Sequence, residues 1–576
     1  MKEFYKNLKF SWDYTKEEKW RVILLVILNI INIILSVVAP ILSAKIIIAL
    51  TSNNYKQIIL IAIAILSIEL VAEIINHLTR VIALKIQKRA KYKIQMDVGA
   101  NILKVENRCL DEKGSGLFIQ RITNDAGRIS EAFDYILNMI AGIVRYIGIL
   151  IAILVVNRLV FIYIIVTLII SFILEKLRTD RRNEDDKTSR KALEKVTGLL
   201  GELVRGARDI KMLNSEEDFL KELDSKIMDH TNKRSAMRIT SWRYSLLTDC
   251  IMCIFSFCLI ILLVSLMEHK VITASIALIL YNYSRNVSYS FYSVGSLMEY
   301  IKDFNLSCGR VFDIINSEKF KKESFGNIHL DTVNGDFEFR DVVFSYDKKK
   351  ILNHLSFKIH ANESVAFVGK SGAGKTTIFN LLCKMYDIDK GTITIDGKDI
   401  RSLDKDSIRG NITIISQNPY IFNMSIRDNL RLVKSSLTEK EMKEACKIAC
   451  LDDFIKELPD KYDTIIGEGG VNLSGGQKQR LAIARALIQK TEIILFDEAT
   501  SALDNETQEK ISRAIHNMKG EYTILIIAHR LSTIINCDRI LYLDNGKIIA
   551  EGTHQKLIKN CLEYKELYET ELVKEK

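Results

Sequence analysis

Residues 364–382 read SVAFVGKSGAGKTTIFNLL, and this stretch decides the fold of the C-terminal half of the chain. An apolar strand leads into a glycine-rich turn and a helix, and the turn from Gly369 to Thr376 has the pattern GxxxxGK followed by Ser or Thr. Glycines let backbone N–H groups surround a phosphate, and the helix N-terminus adds the positive end of its dipole. We expect Lys375 to reach the β- and γ-phosphates of a nucleotide and the Thr376 hydroxyl to bind Mg²⁺. The predicted phosphate-binding residues are Gly369, Lys370, Ser371, Gly372, Ala373, Gly374, Lys375, Thr376 and Thr377.

A second apolar strand, IILFDE, ends in an acidic pair, Asp497 and Glu498. A carboxylate at a strand end opposite such a loop is the usual second Mg²⁺ ligand, and this role falls to Asp497. Glu498 is then placed to polarise a water for attack on the γ-phosphate. An acidic pair after a strand would otherwise indicate a solvated turn, but the complete phosphate-binding loop favours catalysis.

Between these strands lies LSGGQ, formed by Leu473, Ser474, Gly475, Gly476 and Gln477 and followed by KQRLAIARAL. In this order and spacing the motif resembles the signature of the ATP-binding cassette (ABC) transporters. Essentially the whole chain resembles a half-transporter with the exporter-type fold. The resemblance implies a membrane all-α domain of six transmembrane helices with long cytoplasmic extensions, followed by an α/β P-loop NTPase domain of the ABC type.

In this family ATP is held between the P-loop of one domain and the signature of another. The resemblance therefore implies that the signature residues of this chain act in trans. The chain carries one P-loop and one signature, so a dimer is expected. A homodimer is the simplest arrangement, and a heterodimer with a second half-transporter stays open.

Other family motifs can be carried over residue by residue. Tyr346 resembles the aromatic residue that stacks on adenine, and Gln417 resembles the glutamine that senses Mg²⁺ and contacts the membrane domain. The loop 467–472, GEGGVN, resembles the one that exporters place before the signature. Asp504, in SALD, resembles the D-loop aspartate, and His529 resembles the switch histidine that contacts the γ-phosphate. The resemblance thus implies a hydrolytically competent site with catalytic residues Glu498, His529 and Gln417.

The first half of the chain contains six segments long and apolar enough for membrane helices, since a bilayer core needs about 20 mostly apolar residues. They are about 21–50, 57–84, 133–156, 159–177, 246–267 and 271–300. The connections 85–132 and 178–245 are long and rich in Lys and Arg, which places them and the N-terminus in the cytoplasm. Lys- and Ile-rich usage favours a low-GC bacterium, so the expected location is a bacterial cytoplasmic membrane, with the nucleotide-binding domain inside the cell.

Both long connections have few helix breakers and an apolar period of about 3.6 residues. They are predicted to extend the membrane helices into the cytoplasm and to turn near 114–125 and 205–214. TNDAGRI (123–129) and RGARDIKML (205–213) resemble the two coupling regions of the family. The predicted domains are residues 1–315 for the membrane, a linker at 316–335, and residues 336–576 for the nucleotide.

Charges inside the membrane segments are expensive and therefore suggest function. Counted along the helices, Glu69, Arg145 and Arg285 fall near the middle of the bilayer. Glu73, His77 and Arg80 lie on one face of the second segment, closer to the cytoplasm. We hypothesise that Glu69, Arg145 and Arg285 line a polar substrate cavity. The alternative is an ion pair of Glu69 with an arginine that only fixes helix packing.

The composition excludes several other classes of protein. Of 576 residues, 48% are hydrophobic and 26% charged, which excludes a disordered chain. The net charge of +10 is explained by cytoplasmic loops, so nucleic acid is not expected as a partner. The ten cysteines are scattered and indicate reduced thiols rather than a disulfide framework.

The sequence therefore predicts an ATP hydrolase that drives transport by alternating access, most simply an exporter, with ATP and Mg²⁺ as its ligands. An amphiphilic drug, a lipid or a peptide would be the substrate. The alternatives are one subunit of a heterodimeric exporter and an exporter-fold importer of metal chelates. A soluble cassette ATPase is disfavoured by the membrane segments, and an ATP-gated channel by the intact catalytic residues.

Overall fold

The structure is a computed structural model that describes residues 2–51, 55–316, 319–346, 349–467, 470–497, 519–527 and 534–575. Within these ranges it leaves out the side chains at 39–40, 43–44, 47–48, 50–51, 183, 285–296, 298–299 and 571–575. The chain divides into two compact units. The helical unit is Met1–Lys104 with Gly114–Phe320, and the α/β unit is Val105–Lys113 with Lys321–Lys576. The domain limits predicted from the sequence stay predictions. They did not anticipate that a segment near residue 110 belongs with the C-terminal half.

The helices are α1 (Lys2–Thr15), α2 (Lys19–Thr51), α3 (Tyr55–Ile102), α4 (Asn107–Lys113), α5 (Ser115–Gln120), α6 (Ala126–Val156), α7 (Arg158–Met212), α8 (Glu216–Glu268), α9 (Ala274–Ile315), α10 (Lys375–Leu382), α11 (Lys405–Arg409), α12 (Ile426–Arg431), α13 (Glu439–Ile448), α14 (Asp452–Glu457), α15 (Gly475–Gln489), α16 (His554–Asn560) and α17 (Leu562–Glu575). Helix α4 lies in the α/β unit.

Five stretches in the described part of the chain are long and apolar enough to cross a bilayer: Lys2–Val38, Tyr55–Ile102, Ser115–Val156, Arg158–Met212 and Glu216–Glu268. Most of the predicted segment 271–300 lies in α9, a helix of 42 residues that is not among the five and whose side chains at 285–296 and 298–299 lie outside the described part. The predicted count of six membrane helices is therefore not confirmed.

Large apolar side chains cover the outside of these helices, as expected for surfaces that face lipid. Ile27, Leu60, Ile147 and Phe257 are examples, and each is more than 45% exposed. Helices α7 and α8 have 55 and 53 residues, and at about 1.5 Å per residue each is far longer than a bilayer core of about 30 Å. The long connections predicted to be helical extensions are mostly helical, with breaks at 103–106 and 114 in the first and at 213–215 in the second. Most of the two predicted turn regions, 114–125 and 205–214, is helix.

The turns between the helices use local caps. Asn157 Oδ1 accepts hydrogen bonds from the backbone N–H groups of Leu159 (3.0 Å) and Val160 (3.1 Å) and so starts α7. Thr273 caps α9 in the same way through the N–H of Ile276. These caps allow two long apolar helices to follow each other after very short connections.

One buried carboxylate joins the turn before α6 to α9 within the helical unit. A π-helical turn, Arg121–Asp125, precedes α6, and Asp125 is only 2% exposed. Its carboxylate accepts from Ser307 Oγ (2.8 Å) and Arg121 (2.8 Å), and Arg310 lies 3.6 Å away. The carboxylate thus has partners from its own turn and from α9.

The strands are β1 (Phe337–Tyr346), β2 (Lys349–Ile359), β3 (Ser364–Gly369), β4 (Lys390–Ile395), β5 (Lys398–Asp399), β6 (Ile412–Ile415), β7 (Met424–Ser425), β8 (Ile465–Ile466), β9 (Ile493–Asp497), β10 (Thr523–Ile527), β11 (Arg539–Asp544) and β12 (Lys547–Gly552).

The α/β unit is built on a six-stranded sheet with the order β12-β11-β3-β10-β9-β6. All neighbouring strands in it are parallel except β11 and β12. A four-stranded antiparallel sheet, β2-β1-β4-β5, lies beside it in the same unit. The carboxyl ends of parallel strands share one edge, so the loops after β3 and β9 are brought to the same side.

Strand β3 is buried on both faces, which explains its continuous apolar sequence. Ala366 and Val368 point into the core formed with α13 and α15. Val365 and Phe367 point into the core shared with the antiparallel sheet. The strand is therefore fixed from both sides at the point where the glycine-rich turn begins.

Candidate functional site

The glycine-rich turn forms a concave loop between β3 and α10. Gly374 has a φ of 102°, and a Cβ there would lie 2.7 Å from Leu352 Cδ2, so a side chain fits poorly. Lys375 is buried, and its Nζ donates to the carbonyls of Gly369 (2.8 Å) and Lys370 (3.0 Å). The ammonium group and the N-terminus of α10 thus point to one place, which suits a phosphate.

Thr376 and Asp497 are brought together as the sequence suggested. Asp497 ends β9 and is buried, and Thr376 Oγ1 donates to its Oδ1 at 3.2 Å. A hydroxyl and a carboxylate oxygen side by side are the donors that Mg²⁺ prefers. Next to the phosphate-binding loop, this pair fits a magnesium ion held between protein and nucleotide.

The signature lies at the start of α15. Ser474 caps this helix through a capping box with Gln477, in which Ser474 N donates to Gln477 Oε1 (2.8 Å) and Gln477 N donates to Ser474 Oγ (3.2 Å). Leu473 is buried, whereas Ser474 and Gly475 are exposed. The amino end of a 15-residue helix is therefore presented to solvent.

Gln417 follows β6 and is exposed. The buried Gln479 of α15 donates from Nε2 to the Gln417 carbonyl at 3.2 Å. This hydrogen bond links the segment around Gln417 to the signature helix α15. The linking residue, Gln479, lies less than two turns from Ser474.

Two residues that the sequence analysis missed hold the segment after Gln417. Asn429 is fully buried, and its Nδ2 donates to the carbonyls of Phe422 (3.0 Å), Met424 (3.2 Å) and Ser425 (3.0 Å). Its Oδ1 accepts from Phe422 N (3.1 Å) and from Arg485 (2.5 Å).

Arg485 also donates to the Asn429 carbonyl (3.0 Å) and the Tyr420 carbonyl (3.0 Å), and burial lowers its pKa. The sequence did contain a sign that Arg485 is buried and bonded, because it is a lone charge in the apolar run LAIARALI. We call this pair of residues the Asn429–Arg485 knot.

Tyr346 is the last residue of β1 and is half-buried. Its ring packs edge to face against Phe344 (4.8 Å between centroids) and Tyr386 (5.2 Å). Asn380 Nδ2 lies 3.5 Å from its hydroxyl, at the limit of a hydrogen bond. The ring is therefore held in place by packing rather than by its hydroxyl.

Three predicted residues, Glu498, Asp504 and His529, lie outside the described residues. Glu498 directly follows β9, and His529 comes two residues after the end of β10. Their roles stay predictions. The same holds for Glu468 and Gly469 in the loop before the signature.

The predicted intramembrane group is only partly brought together. Arg145 lines a cavity of about 290 Å³ between α2, α3 and α6. Glu69 is exposed, does not line the cavity and forms no ion pair with a described side chain. Arg285 lies in α9, but its side chain is outside the described part. Glu69 lies two turns along α3 from Asn76, which does line the cavity.

The cavity is polar on all three helices, although it lies among apolar segments. Besides Arg145, its polar lining residues are Asn29, Asn32, Asn76, Thr79, Arg80, Asp134 and Asn138. Asn32 donates to Asn76 at 2.6 Å and so joins α2 to α3. The sequence signal was Asn29 and Asn32, two amides three residues apart within an apolar run.

Together, a bundle of long apolar helices and a P-loop domain with a signature helix define a membrane-embedded nucleotide hydrolase. Residues 22–290 match the family model of the ABC transporter transmembrane region, and residues 352–501 match the family model of the ABC transporter. The chain belongs to the ABC transporter family. It is a multi-pass membrane protein that binds ATP and couples its hydrolysis to transport.

Known relatives agree with this assignment. An ATP-dependent lipid A-core flippase of Photobacterium profundum is 31% identical over 477 residues, 81% of this chain and 80% of that protein. The flippase of Desulfotalea psychrophila is 45% identical over 262 residues, only 46% of each chain. The solved structure of a bacterial Atm1-family ABC exporter with ATP bound has a TM-score of 0.86 at 25% identity and covers 96% of this chain and 98% of that one. The chain therefore has the exporter fold.

Proposed function

We propose that the chain is one half of a homodimeric exporter of the bacterial cytoplasmic membrane, which moves an amphiphilic drug, lipid or peptide at the expense of Mg-ATP. The observation that carries this proposal is that one chain contains both a complete P-loop and a signature helix with exposed N-terminal residues. Ser474 and Gly475 present the positive end of α15 to solvent, a surface suited to a phosphate brought by a second copy.

Within one site, each residue has a defined task. Lys375 and the N-terminus of α10 bind the β- and γ-phosphates, while Thr376 and Asp497 hold Mg²⁺. When bound, Mg²⁺ neutralises the charge that develops on the phosphates. Glu498 accepts a proton from the attacking water, Gln417 orients the ion and that water, and His529 contacts the γ-phosphate. Asp504 and the signature residues complete the site from the partner copy.

ATP binding closes two copies around the nucleotides, and hydrolysis releases them. To move a two-state equilibrium from 1:99 to 99:1, a ligand must favour one state by about 5.5 kcal/mol. We expect two nucleotides held between two chains to supply such a shift, as alternating access requires.

The cavity supports an amphiphile with an anionic polar group as substrate. Two of its charged lining residues are arginines, Arg80 and Arg145, and one is a carboxylate, Asp134. In the described part of the chain no ion pair joins Arg80 to a carboxylate. Guanidinium and amide groups are good donors to phosphate and carboxylate oxygens. The apolar helix surfaces around the cavity are suited to an acyl or aromatic tail.

The first experiment measures steady-state Mg-ATPase activity of the chain purified alone in nanodiscs, with Glu498→Gln as the inactive control. A homodimer is expected to hydrolyse ATP without another protein. A folded, ATP-binding chain without turnover would overturn the homodimer and direct the search to a second half-transporter.

The second experiment tests whether the sites are shared between copies. Lys375→Ala disables the P-loop and Ser474→Arg the signature, and each variant alone is expected to be inactive. Mixed dimers selected with two affinity tags retain one intact site, so about half of the wild-type turnover is expected. Mixed dimers as inactive as their parents would contradict the shared sites.

The substrate proposal is tested with two detergents of equal chain length. Dodecyl phosphate is expected to stimulate the ATPase, and dodecyltrimethylammonium is not. Arg145→Gln should raise the half-maximal dodecyl phosphate concentration about tenfold, because one charge-assisted hydrogen bond is lost. Arg243→Gln, an exposed arginine outside the cavity, is the matched control. Equal stimulation by both detergents would refute an anion-selective cavity.

A further inference from the structure

The cavity between α2, α3 and α6 contains a carboxylate as well as guanidinium groups. Asp134, on α6, is half-buried and lines the cavity, and its Oδ1 accepts a hydrogen bond from Asn138 Nδ2 at 3.0 Å. Among the described residues Asn138 is the only partner of this side chain, so Oδ2 accepts no hydrogen bond from them. A carboxylate in a membrane helix is unfavourable unless a donor or water reaches it.

The two arginines of the cavity do not neutralise this carboxylate. Arg145 donates to the Tyr146 hydroxyl at 3.2 Å, and its guanidinium lies over the Tyr146 ring, 5.1 Å from the centroid. Arg80 forms no hydrogen bond or ion pair with a described side chain. Opposite charges therefore line one cavity of about 290 Å³ without forming an ion pair in the described part of the chain.

The carboxylate and one of the guanidinium groups lie at different depths of the cavity. Asp134 and Arg145 are both on α6, and at about 1.5 Å per residue their Cα atoms are about 16 Å apart along the helix axis. Arg80 reaches the cavity from α3. A ligand in the cavity therefore meets an acceptor and donors at separate places, and a polar group with charges of both signs matches them best.

A protonated amine suits Asp134 better than a metal ion does. The described residues contain no group of three acidic, histidine or cysteine side chains that could hold a metal. A primary ammonium needs fewer ligands, because its N–H groups donate to a carboxylate oxygen and to amide oxygens. Asn138 uses Nδ2 for Asp134, and Asn29 uses Nδ2 for the Leu25 carbonyl at 3.1 Å. Both amides therefore present their Oδ1 atoms as further acceptors in the same cavity.

We propose that Asp134 selects a protonated amine in the substrate, so that the transported amphiphile carries an amine beside its anionic group. The proposal rests on the proposed function, because it takes this cavity as the substrate site. The guanidinium groups bind the anionic part, and Oδ2 of Asp134 accepts a hydrogen bond from the ammonium. A polar group with an amine thus satisfies charges of both signs, whereas a purely anionic one leaves the carboxylate uncompensated.

The test compares two probes that differ in one group, dodecylphosphoethanolamine and dodecyl hydroxyethyl phosphate, in which a hydroxyl replaces the amine. Both have the same alkyl chain and the same phosphodiester, so both should meet the arginines alike. The readout is Glu498-dependent Mg-ATPase activity of the full chain in phosphatidylglycerol nanodiscs, whose lipid has no amine. In the wild-type chain the amine probe should reach half-maximal stimulation at a concentration at least about tenfold lower, as expected for one hydrogen bond to a charged group.

Asp134→Asn keeps the shape of the side chain and removes its charge. It should raise the half-maximal concentration of the amine probe at least about tenfold and leave that of the hydroxyl probe nearly unchanged, so the preference is lost. Asp134→Glu keeps the carboxylate and should retain the preference. Glu131→Gln is the matched control, because it removes a carboxylate one turn earlier on α6 from an exposed residue that does not line the cavity. Arg145→Gln should weaken both probes by the same factor.

Equal half-maximal concentrations of the two probes in the wild-type chain would overturn the proposal, and this comparison needs no folded variant. So would an Asp134→Asn chain that keeps the preference, or one that weakens both probes by the same factor, which marks a merely structural role. Loss of the preference in Glu131→Gln as well would also overturn it, since no contact with Asp134 is then required. Stimulation by both probes without a preference leaves the proposed function intact, whereas no stimulation by either refutes the substrate cavity itself.

Discussion

The Asn429–Arg485 knot gives a stability prediction that can be worked out from its hydrogen bonds. Asn429→Ala removes five side-chain hydrogen bonds, three donated by Nδ2 and two accepted by Oδ1. The site is fully buried, but Phe422 and its neighbours are partly exposed, so water can reach some of the released carbonyls. The Arg485 guanidinium loses its side-chain acceptor and keeps its bonds to two backbone carbonyls.

A net hydrogen bond is worth about 1 kcal/mol, so five bonds set an upper limit of about 5 kcal/mol. Discounting the carbonyls that water can reach leaves about 3 kcal/mol. For a domain of this size each kcal/mol shifts the midpoint by about 2–4 °C, so the unfolding temperature should fall by about 6–12 °C. Asn411→Ala is the matched control, since Asn411 donates a single bond to the Ser407 carbonyl (3.1 Å) and should cost only about 2–4 °C.

The assay is thermal unfolding of the full chain in nanodiscs, followed by intrinsic fluorescence. The transition of the α/β unit is the one whose midpoint rises with Mg-ATP, because a ligand of the native state stabilises it. Turnover should fall as well, since the segment that follows Gln417 is held by the knot. If the midpoint of Asn429→Ala dropped no further than that of Asn411→Ala, the hydrogen-bond reasoning would be wrong.

Three further outcomes are expected. Asp497→Asn should raise the Mg²⁺ concentration for half-maximal hydrolysis by at least about tenfold, read from a Mg²⁺ titration, because it removes a charged ligand; an unchanged titration would contradict this role. The Asp404 carboxylate raises the pKa of His329, and this interaction stabilises the fold below the ordinary histidine pKa and is lost as pH rises through the raised value. Asp404→Asn should therefore lower the unfolding temperature more at pH 6 than at pH 9, and an equal effect at both would refute the pairing. Burial raises the pKa of Cys383 to about 12, so iodoacetamide at pH 8 should leave it unmodified in the folded chain and alkylate the half-exposed Cys450, as measured by peptide mass spectrometry.

The nucleotide site was the most predictable part because its residues are close in sequence or at the ends of strands in one parallel sheet. Gly369 to Thr376 form one continuous loop. Asp497 lies far from Thr376 in the chain, but β9 and β3 belong to the same parallel sheet, so both ends must lie on one edge. The 3.2 Å contact between them follows from the sheet topology rather than from a further coincidence. The fold class, a helical membrane domain followed by an ABC nucleotide-binding domain, is confirmed, but the count of six membrane helices is not.

Contacts between residues that are far apart in the sequence could not be predicted where no known motif marks them. Asp111 and Tyr386 are 275 residues apart, and neither stands out in its local sequence. The contact requires α4 to leave the helical unit and join the α/β unit, which no local pattern encodes. The predicted sixth membrane span, 271–300, includes side chains outside the described part of the chain, and the count of six is not confirmed.

Two groups of polar side chains differ in whether the protein provides their partners, and the difference bears on function. Asn429 and Asp125 are buried, and each has a full set of partners from its own unit. Such networks need no ligand, and their loss is expected to reduce stability. The cavity between α2, α3 and α6 is different, because its arginines are not balanced by carboxylates of the described residues. In a membrane segment an uncompensated guanidinium is unfavourable unless water or a ligand reaches it. Substitution of Arg80 should therefore change the response to anionic amphiphiles and leave the unfolding temperature nearly unchanged, whereas substitution of Asp125 should lower that temperature.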